Sequence, residues 1–236
     1  MVSAFRRKER DSLNYRHEWK HEISRTDLLS IRARLRAVAR ADPHAQDGKY
    51  EIRSLYFDNP GDKALREKID GVNMREKFRI RYYNRDTSLI HLEKKSKLNG
   101  LGTKFSAALS AAEAQKIVDG DIAWMLGAAD RPLVQELYCK MRYQRMAPKT
   151  IVDYTREPFI FGPGNVRVTF DYDIRTGLGC TDFLNPDCPT VPAGDAPIIL
   201  EVKWDAYLPD IIRACVQTPG RRAAAFSKYA QCRIYG

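Results

Sequence analysis

Five stretches of the chain alternate apolar and charged side chains with a period of two. A strand turns successive side chains to opposite faces, so Lys77-Phe78-Arg79-Ile80-Arg81-Tyr82-Tyr83 sets Lys77, Arg79, Arg81 and Tyr83 against Phe78, Ile80 and Tyr82. Tyr15 to Lys20 groups Arg16, Glu18 and Lys20, and Leu89 to Lys97 groups His91, Glu93, Lys95 and Lys97. Val166 to Asp173 sets Arg167, Thr169, Asp171 and Asp173 opposite Val166, Val168, Phe170 and Tyr172. Ile198 to Trp204 sets Glu201 and Lys203 opposite Leu200, Val202 and Trp204. Further strands are expected over Tyr50 to Phe57, which is less polar, from Lys104, and over Lys149 to Tyr154.

Helical spacing appears between the strands. Ser24 or Thr26 caps a helix carrying Leu28, Leu29, Ile31, Leu35 and Val38, and Asn59-Pro60-Gly61-Asp62 opens a short helix through Lys68. Ser110 to Glu113 is a capping-box start for a helix that stops at Gly120. Short helical segments follow around Trp124 and from Val134 to Tyr143. The closing segment, Pro209 to Cys232, carries two helical stretches parted by Thr218-Pro219-Gly220, the second with Arg221, Arg222, Phe226, Lys228 and Tyr229. Asn84 to Ser88, Leu98 to Gly102 and Pro158 to Asn165 read as turns, and Leu184 to Pro197 as a long loop, either a lid or a surface excursion. Without a repeat or linker, a single domain over 15–236 after a basic tail over 1–14 is the simplest organisation.

Faces pointing into bulk water would not each need to mix cations with a carboxylate at i, i+2 spacing. The pattern suits an α+β fold in which a closed antiparallel β-barrel, with helices packed on its outside, encloses a cationic channel. Such a lining fits a polyanion. Arg offers a planar fork to phosphate oxygens, Lys a mobile point charge, and a minority of acids suits a divalent metal bridging to phosphate.

The 236 residues are 44% hydrophobic and 30% charged, as a globular domain requires, with a formal net charge of +10. Nucleic acid is the ordinary partner for that balance, yet no helix-turn-helix, zinc-finger or RNP-like signature occurs and the cations are spread over strands, so no specific nucleic acid is expected. The five cysteines form no CxxC pair, which argues against structural zinc; Cys180 and Cys188 flank a loop and can pair in an oxidising setting, with reduced thiols the expectation. His17, His21, His44 and His91 form no ligand constellation. No apolar run is long enough to span a membrane and the first residues lack a signal-peptide pattern, so a cytoplasmic location is expected.

Six motifs in order carry a resemblance: Tyr15-Arg16-His17-Glu18-Trp19-Lys20-His21, Ile52 to Asp58, Lys77 to Tyr83, Leu92-Glu93-Lys94-Lys95, Leu200-Glu201-Val202-Lys203 and Phe226-Ser227-Lys228-Tyr229. The chain resembles the triphosphate tunnel metalloenzymes, and within them the VTC-type polyphosphate polymerase domain. The resemblance implies ATP and inorganic polyphosphate as partners and transfer of the γ-phosphate of ATP to a growing chain. It implies phosphate ligands at Lys20, Arg79, Arg81, Lys95, Lys104, Arg145, Arg167, Lys203 and Lys228, of which Lys20, Arg79, Arg81, Lys95, Arg167 and Lys203 form the catalytic set. Alternation does not select Lys104, Arg145 or Lys228, which rest on the resemblance alone. Glu201 resembles the family's principal metal acid, for Mn²⁺ or Mg²⁺; Glu18 and Glu93 are weaker candidates. The relatives' Glu-x-Glu-x-Lys here reads Arg16-His17-Glu18-Trp19-Lys20, which favours the polymerase branch over a tripolyphosphatase or nucleoside triphosphatase. A non-catalytic polyphosphate-binding module and a membrane-protein partner that receives the product stay open.

Overall fold

The computed structural model describes residues 16–98, 101–195, 197–218 and 225–234. The expected basic tail, Tyr15, Asn99, Gly100, Pro219, Gly220, Arg221 and Arg222 lie outside the described residues. Among the described residues ten antiparallel strands join one sheet: β1 (His17–Ile23), β2 (Arg40–Ala41), β3 (Tyr50–Asp58), β4 (Arg75–Tyr83), β5 (Asp86–Leu98), β6 (Leu101–Leu109), β7 (Ala147–Phe161), β8 (Val166–Thr176), β9 (Val191–Pro192) and β10 (Ile198–Trp204). Their order is β1-β10-β8-β7-β3-β4-β5-β6, with β2 added to β7 and β9 to β8.

Among the described residues six α-helices accompany the sheet: α1 (Arg25–Val38), α2 (Lys63–Ile69), α3 (Ala111–Asp119), α4 (Pro132–Gln144), α5 (Asp210–Val216) and α6 (Lys228–Ile234). Ser24 and Asp27 close a capping box at the start of α1, and Ser110 and Glu113 do the same for α3, which ends on the left-handed Gly120. One apolar core lies under α1 and α5, where Leu28, Ile31, Leu35 and Ile212 meet Val168, Phe170, Leu200 and Val202. Another lies under α3 and α4, where Ile117, Val134 and Leu137 meet Leu55, Phe78, Ile80 and Leu92. Each such side chain contributes about 1.5–3 kcal/mol of transfer free energy. These cores cover the convex face, the apolar side of the period-two pattern.

A third core sits on the concave face. Tyr229 and Cys232 of α6 pack there with Tyr56, Val152, Tyr154, Ile174 and Ile199. Tyr229 stacks on Tyr56 with ring centroids 5.0 Å apart, and its hydroxyl donates to Asp58 at 2.8 Å. The Asp58 carboxylate also accepts from the backbone N–H groups of Asn59, Ala64 and Leu65. One buried acid therefore starts α2 and pins α6 to the concave side.

Two expectations are corrected. The sheet is a curled half-barrel and not a closed barrel: β1 and β6 end the path, and among the described residues they do not pair. Alternation says which side chains share a face, but closure requires strand number, tilt and stagger to agree, which no local pattern encodes. The second concerns β7, which runs through Pro158 to Phe161 where a turn was expected. Pro158 falls where the neighbour on that flank changes, β3 pairing as far as Arg156 and β2 beginning at Phe159, so its missing N–H costs little. The loop over 177–190 is fastened at Phe183 and Cys188, both buried.

Candidate functional site

Register decides which charges meet. Glu18 stands opposite Lys203, and Lys20 opposite Glu201, which faces Thr169. Asp171 faces Arg156. On the other half of the sheet Tyr56 faces Arg79, which faces Glu93, while Ser54 faces Arg81 and Lys77 faces Lys95, which faces Lys104. Residues directly opposite one another across antiparallel strands share a face, so all of these line the concave side.

The acids divide the cations among themselves. Glu201, buried, takes Lys20 at 3.0 Å, Lys203 at 3.2 Å and Arg156 at 3.4 Å. Glu18 meets Lys20 and Lys203, each at 3.4 Å, and spans to Lys95 on β5 at 3.7 Å. Glu93 holds Arg79 at 2.7 Å, Lys104 and the more distant Arg81. Arg81 also donates to the Ser54 and Tyr154 hydroxyls at 3.0 Å each. Asp171, fully buried, accepts two bonds from Arg156, at 2.6 and 2.7 Å, and one from Lys228.

Among the described residues Lys77 has no acid. Its nearest partner is the Ser227 hydroxyl at 3.5 Å, and burial together with Lys95, Arg79, Lys20 and Lys228 pushes its ammonium well below the usual lysine range. Burial, Lys20 and Lys203 bring Lys95 down to about 8, against the opposing pull of Glu18 and Glu201. Burial would raise Glu201, but Lys203 and Lys20 outweigh it and hold the carboxyl well below its usual range. The same balance, with Arg79 and Arg81 as the cations, lowers Glu93. Burial lowers Lys20, yet Glu201 and Glu18 raise it by more.

Lys20, Lys77 and Lys95 line a cleft of about 380 Å³ together with Glu18, Lys68, Arg75, Lys97, Phe226 and Ser227. That volume falls in the range of about 300–1,000 Å³ ordinary for small-ligand sites. At the opposite end of β3 and β4 lies a second cavity of about 290 Å³, lined by Arg53, Tyr82, Asp153 and Cys188 among others.

Of the predicted residues, Lys20, Arg79, Arg81, Lys95, Lys104, Lys203, Lys228, Glu18, Glu93 and Glu201 come together on this face. Arg167 lies on the same face opposite Lys203, but its guanidinium is bonded to Asp42 at 3.0 Å. Arg145 does not join: it is the exposed left-handed residue that ends α4. Sequence reasoning missed Arg156 because the expected strand stops at Tyr154, whereas the alternation Tyr154, Arg156 continues the inward row; Tyr154 and Asp171 stand within expected strands, Asp171 on the charged face, but were given no role. It also passed over Lys77, although Lys77 shares its face with Arg79 and Arg81.

Residues 15–234 match the VTC domain. The chain belongs to the VTC domain family. No curated protein matches it. Among solved structures, a candidate adenylate cyclase from Bacillus halodurans is 13% identical over 79% of this chain and 78% of that one, with a TM-score of 0.47. The PH1819 protein of Pyrococcus horikoshii OT3 is 15% identical over 86% and 84%, with a TM-score of 0.43.

A divalent cation suits this VTC domain only in part. Among the described residues no group of three His, Cys, Asp or Glu side chains converges. Glu18 and Glu201 do sit together, sharing Lys20 and Lys203, and two carboxylates completed by phosphate oxygens and water are an ordinary Mg²⁺ environment. Glu93 does not extend that pair; its oxygens serve Arg79 and Lys104. The pair Glu201 and Glu18 fits the metal, and Glu93 is a holder of cations.

Proposed function

We propose that this VTC domain is a polyphosphate polymerase that takes the phosphates of ATP into the concave cleft and transfers the γ-phosphate to the end of an inorganic polyphosphate chain. The observation that carries this reading is Lys77, a lysine held among cations with no carboxylate of its own among the described residues. An arriving anion relieves the cost of its burial there and favours the charged ammonium again. Lys95 shares that position across the register, and Lys20 and Lys203 exchange carboxylate oxygens for phosphate oxygens. Arg79, fixed between Glu93 and the Tyr56 hydroxyl, presents its guanidinium in one direction.

In the transfer, an oxygen of the chain's terminal phosphate attacks the γ-phosphorus and the bond to the ADP oxygen breaks. That oxygen is already ionised, so no strong base is needed and the protein's work is positioning and charge neutralisation. A cation such as Mn²⁺ or Mg²⁺ on Glu201 and Glu18 would supply further neutralisation of the phosphates.

A second reading, hydrolysis of tripolyphosphate or a nucleoside triphosphate, is favoured by α6, which packs on the concave face beside the cleft and so suits a short chain. Incubation with ATP and Mn²⁺ or Mg²⁺, followed by gel analysis for phosphate chains and a free-phosphate assay, decides between them. Long chains are expected, and Glu201→Gln should abolish their formation while polyphosphate still binds. Free phosphate without chains would favour hydrolysis, and binding without either product a non-catalytic polyphosphate-binding module.

A further inference from the structure

We propose that Cys180 and Cys188 form a reversible disulfide that closes the loop between β8 and β9 on itself, at the end of the sheet opposite the cationic cleft. Their sulfurs lie 2.8 Å apart, and all five cysteines are free thiols. Among the described residues, which include every cysteine, no other two sulfurs touch. The inference is independent of the proposed polymerase reaction.

The pair is held by construction. A turn at 177–180 seats Cys180: the Gly177 N–H donates to the Ile151 carbonyl at 3.0 Å, and the Cys180 N–H to the Gly177 carbonyl at 2.8 Å. A Cβ at Gly177 would come within 3.1 Å of the Ile151 Cβ and 3.3 Å of the Cys180 carbonyl, so this turn has little room to shift. A second turn seats Cys188, whose N–H donates to the Asn185 carbonyl at 3.1 Å. Arg53, buried against Asp153, donates to the carbonyls of both Asn185 and Cys188. Tyr82 donates to the Phe183 carbonyl at 3.2 Å and packs on the Phe183 ring. The loop is thus already docked over the 290 Å³ cavity, and a bond of about 2.05 Å needs only a small approach of the two sulfurs.

Exposure sets the order of events. Cys180 is half-buried and Cys188 buried, so an outside oxidant meets Cys180 first. Burial and the neighbouring Cys180 push the Cys188 thiol up to about 12, so Cys188 is not the thiol that opens the exchange. With a small disulfide such as oxidised glutathione, the Cys180 thiolate forms a mixed disulfide and expels one glutathione thiolate. Cys188 loses its proton and attacks the Cys180 sulfur, and the second glutathione leaves. Two electrons pass from the cysteine pair to one glutathione disulfide, yielding two reduced glutathiones.

The test equilibrates the purified full chain in glutathione buffers of graded potential, quenches with acid, blocks free thiols with N-ethylmaleimide after denaturation, and maps tryptic peptides. Thr176 to Lys203 contains no internal Lys or Arg, so both cysteines fall in one peptide. At the oxidising end that peptide should carry no label and be two hydrogens lighter than its reduced form, while the buried Cys215 and Cys232 stay labelled and the exposed Cys139 carries label or a single glutathione. Amide exchange over 177–190 should slow at least tenfold on oxidation, and Cys188→Ser should leave Cys180 as a glutathione adduct. A peptide labelled twice at every potential, or another pair oxidising first, overturns the proposed bond. An intact bond with unchanged exchange overturns its role as a fastening.

Discussion

Asp171 is the sharpest place to perturb this site, because one carboxylate with no solvent exposure serves two cations that are themselves 15–16% exposed. Asp171→Asn keeps the volume and removes the charge, leaving Arg156 and Lys228 without their main partner. Removing one member of a buried pair costs about 3–5 kcal/mol. Arg156 retains Glu201 at 3.4 Å, which places the expected loss at the lower end, about 3 kcal/mol. In a chain of this size each kcal/mol moves the melting temperature by about 2–4 °C, so a fall of about 6–12 °C is expected in thermal unfolding, with a matching shift of the urea midpoint. Burial would raise the Asp171 carboxyl, but Arg156 and Lys228 outweigh it and hold it below the usual range. A carboxyl lowered by folding stabilises fully above its unfolded value, about 3.9, and loses that contribution as pH falls through its folded value. The gap between wild type and variant should therefore be flat from pH 7 to about 5 and shrink on further acidification. A loss under about 1 kcal/mol, the scale of an exposed pair, would refute the reasoning, as would a gap that stays constant into strong acid.

Lys77→Gln removes the lysine that meets no acid among the described residues, so the free protein should melt higher while tripolyphosphate affinity, by calorimetry at low salt, falls about 10-fold or more, the scale of one charge-assisted hydrogen bond. Unchanged affinity would place the anion elsewhere. Lys95, held near 8, has a folded value below its unfolded one; its penalty to stability is full below about 8 and is relieved as pH rises toward about 10.4. Bound polyanion should raise it again, so long-chain polyphosphate binding at about pH 8.5 should take up protons, read from the binding heats in buffers of different ionisation enthalpy; zero uptake contradicts this. Tyr229→Phe removes one of four donors to Asp58 and should cost about 1.5 kcal/mol, the lower end for a bond to a charged group, as a lower urea midpoint at unchanged slope.

Much of the site was legible without coordinates. Glu18, Lys20, Arg79, Glu93, Lys95, Glu201 and Lys203 were selected by period two and do share one face. Arg145 was not within reach of that argument: it rested on resemblance, and a helix end has no face parity to test it. Arg156 was lost to ending its strand at Tyr154 ahead of a turn at Pro158, a reading that fails where the proline stands at a change of neighbour; Asp171 already stood on a charged strand face but was given no role. The resting partner of each cation was likewise invisible, since Lys20 and Glu201 are far apart in sequence and adjacent only across β1 and β10.

The amino-acid order by itself determined the two faces of each strand and the start signals of the helices, because side-chain direction and capping are local consequences of backbone geometry. The tertiary structure alone decided that, among the described residues, the sheet stays open, α6 occupies its hollow and Lys77 is left with no acid. Those outcomes depend on register and curl, set when distant strands pair and helices cover the convex side, and neither is written in any short window of residues.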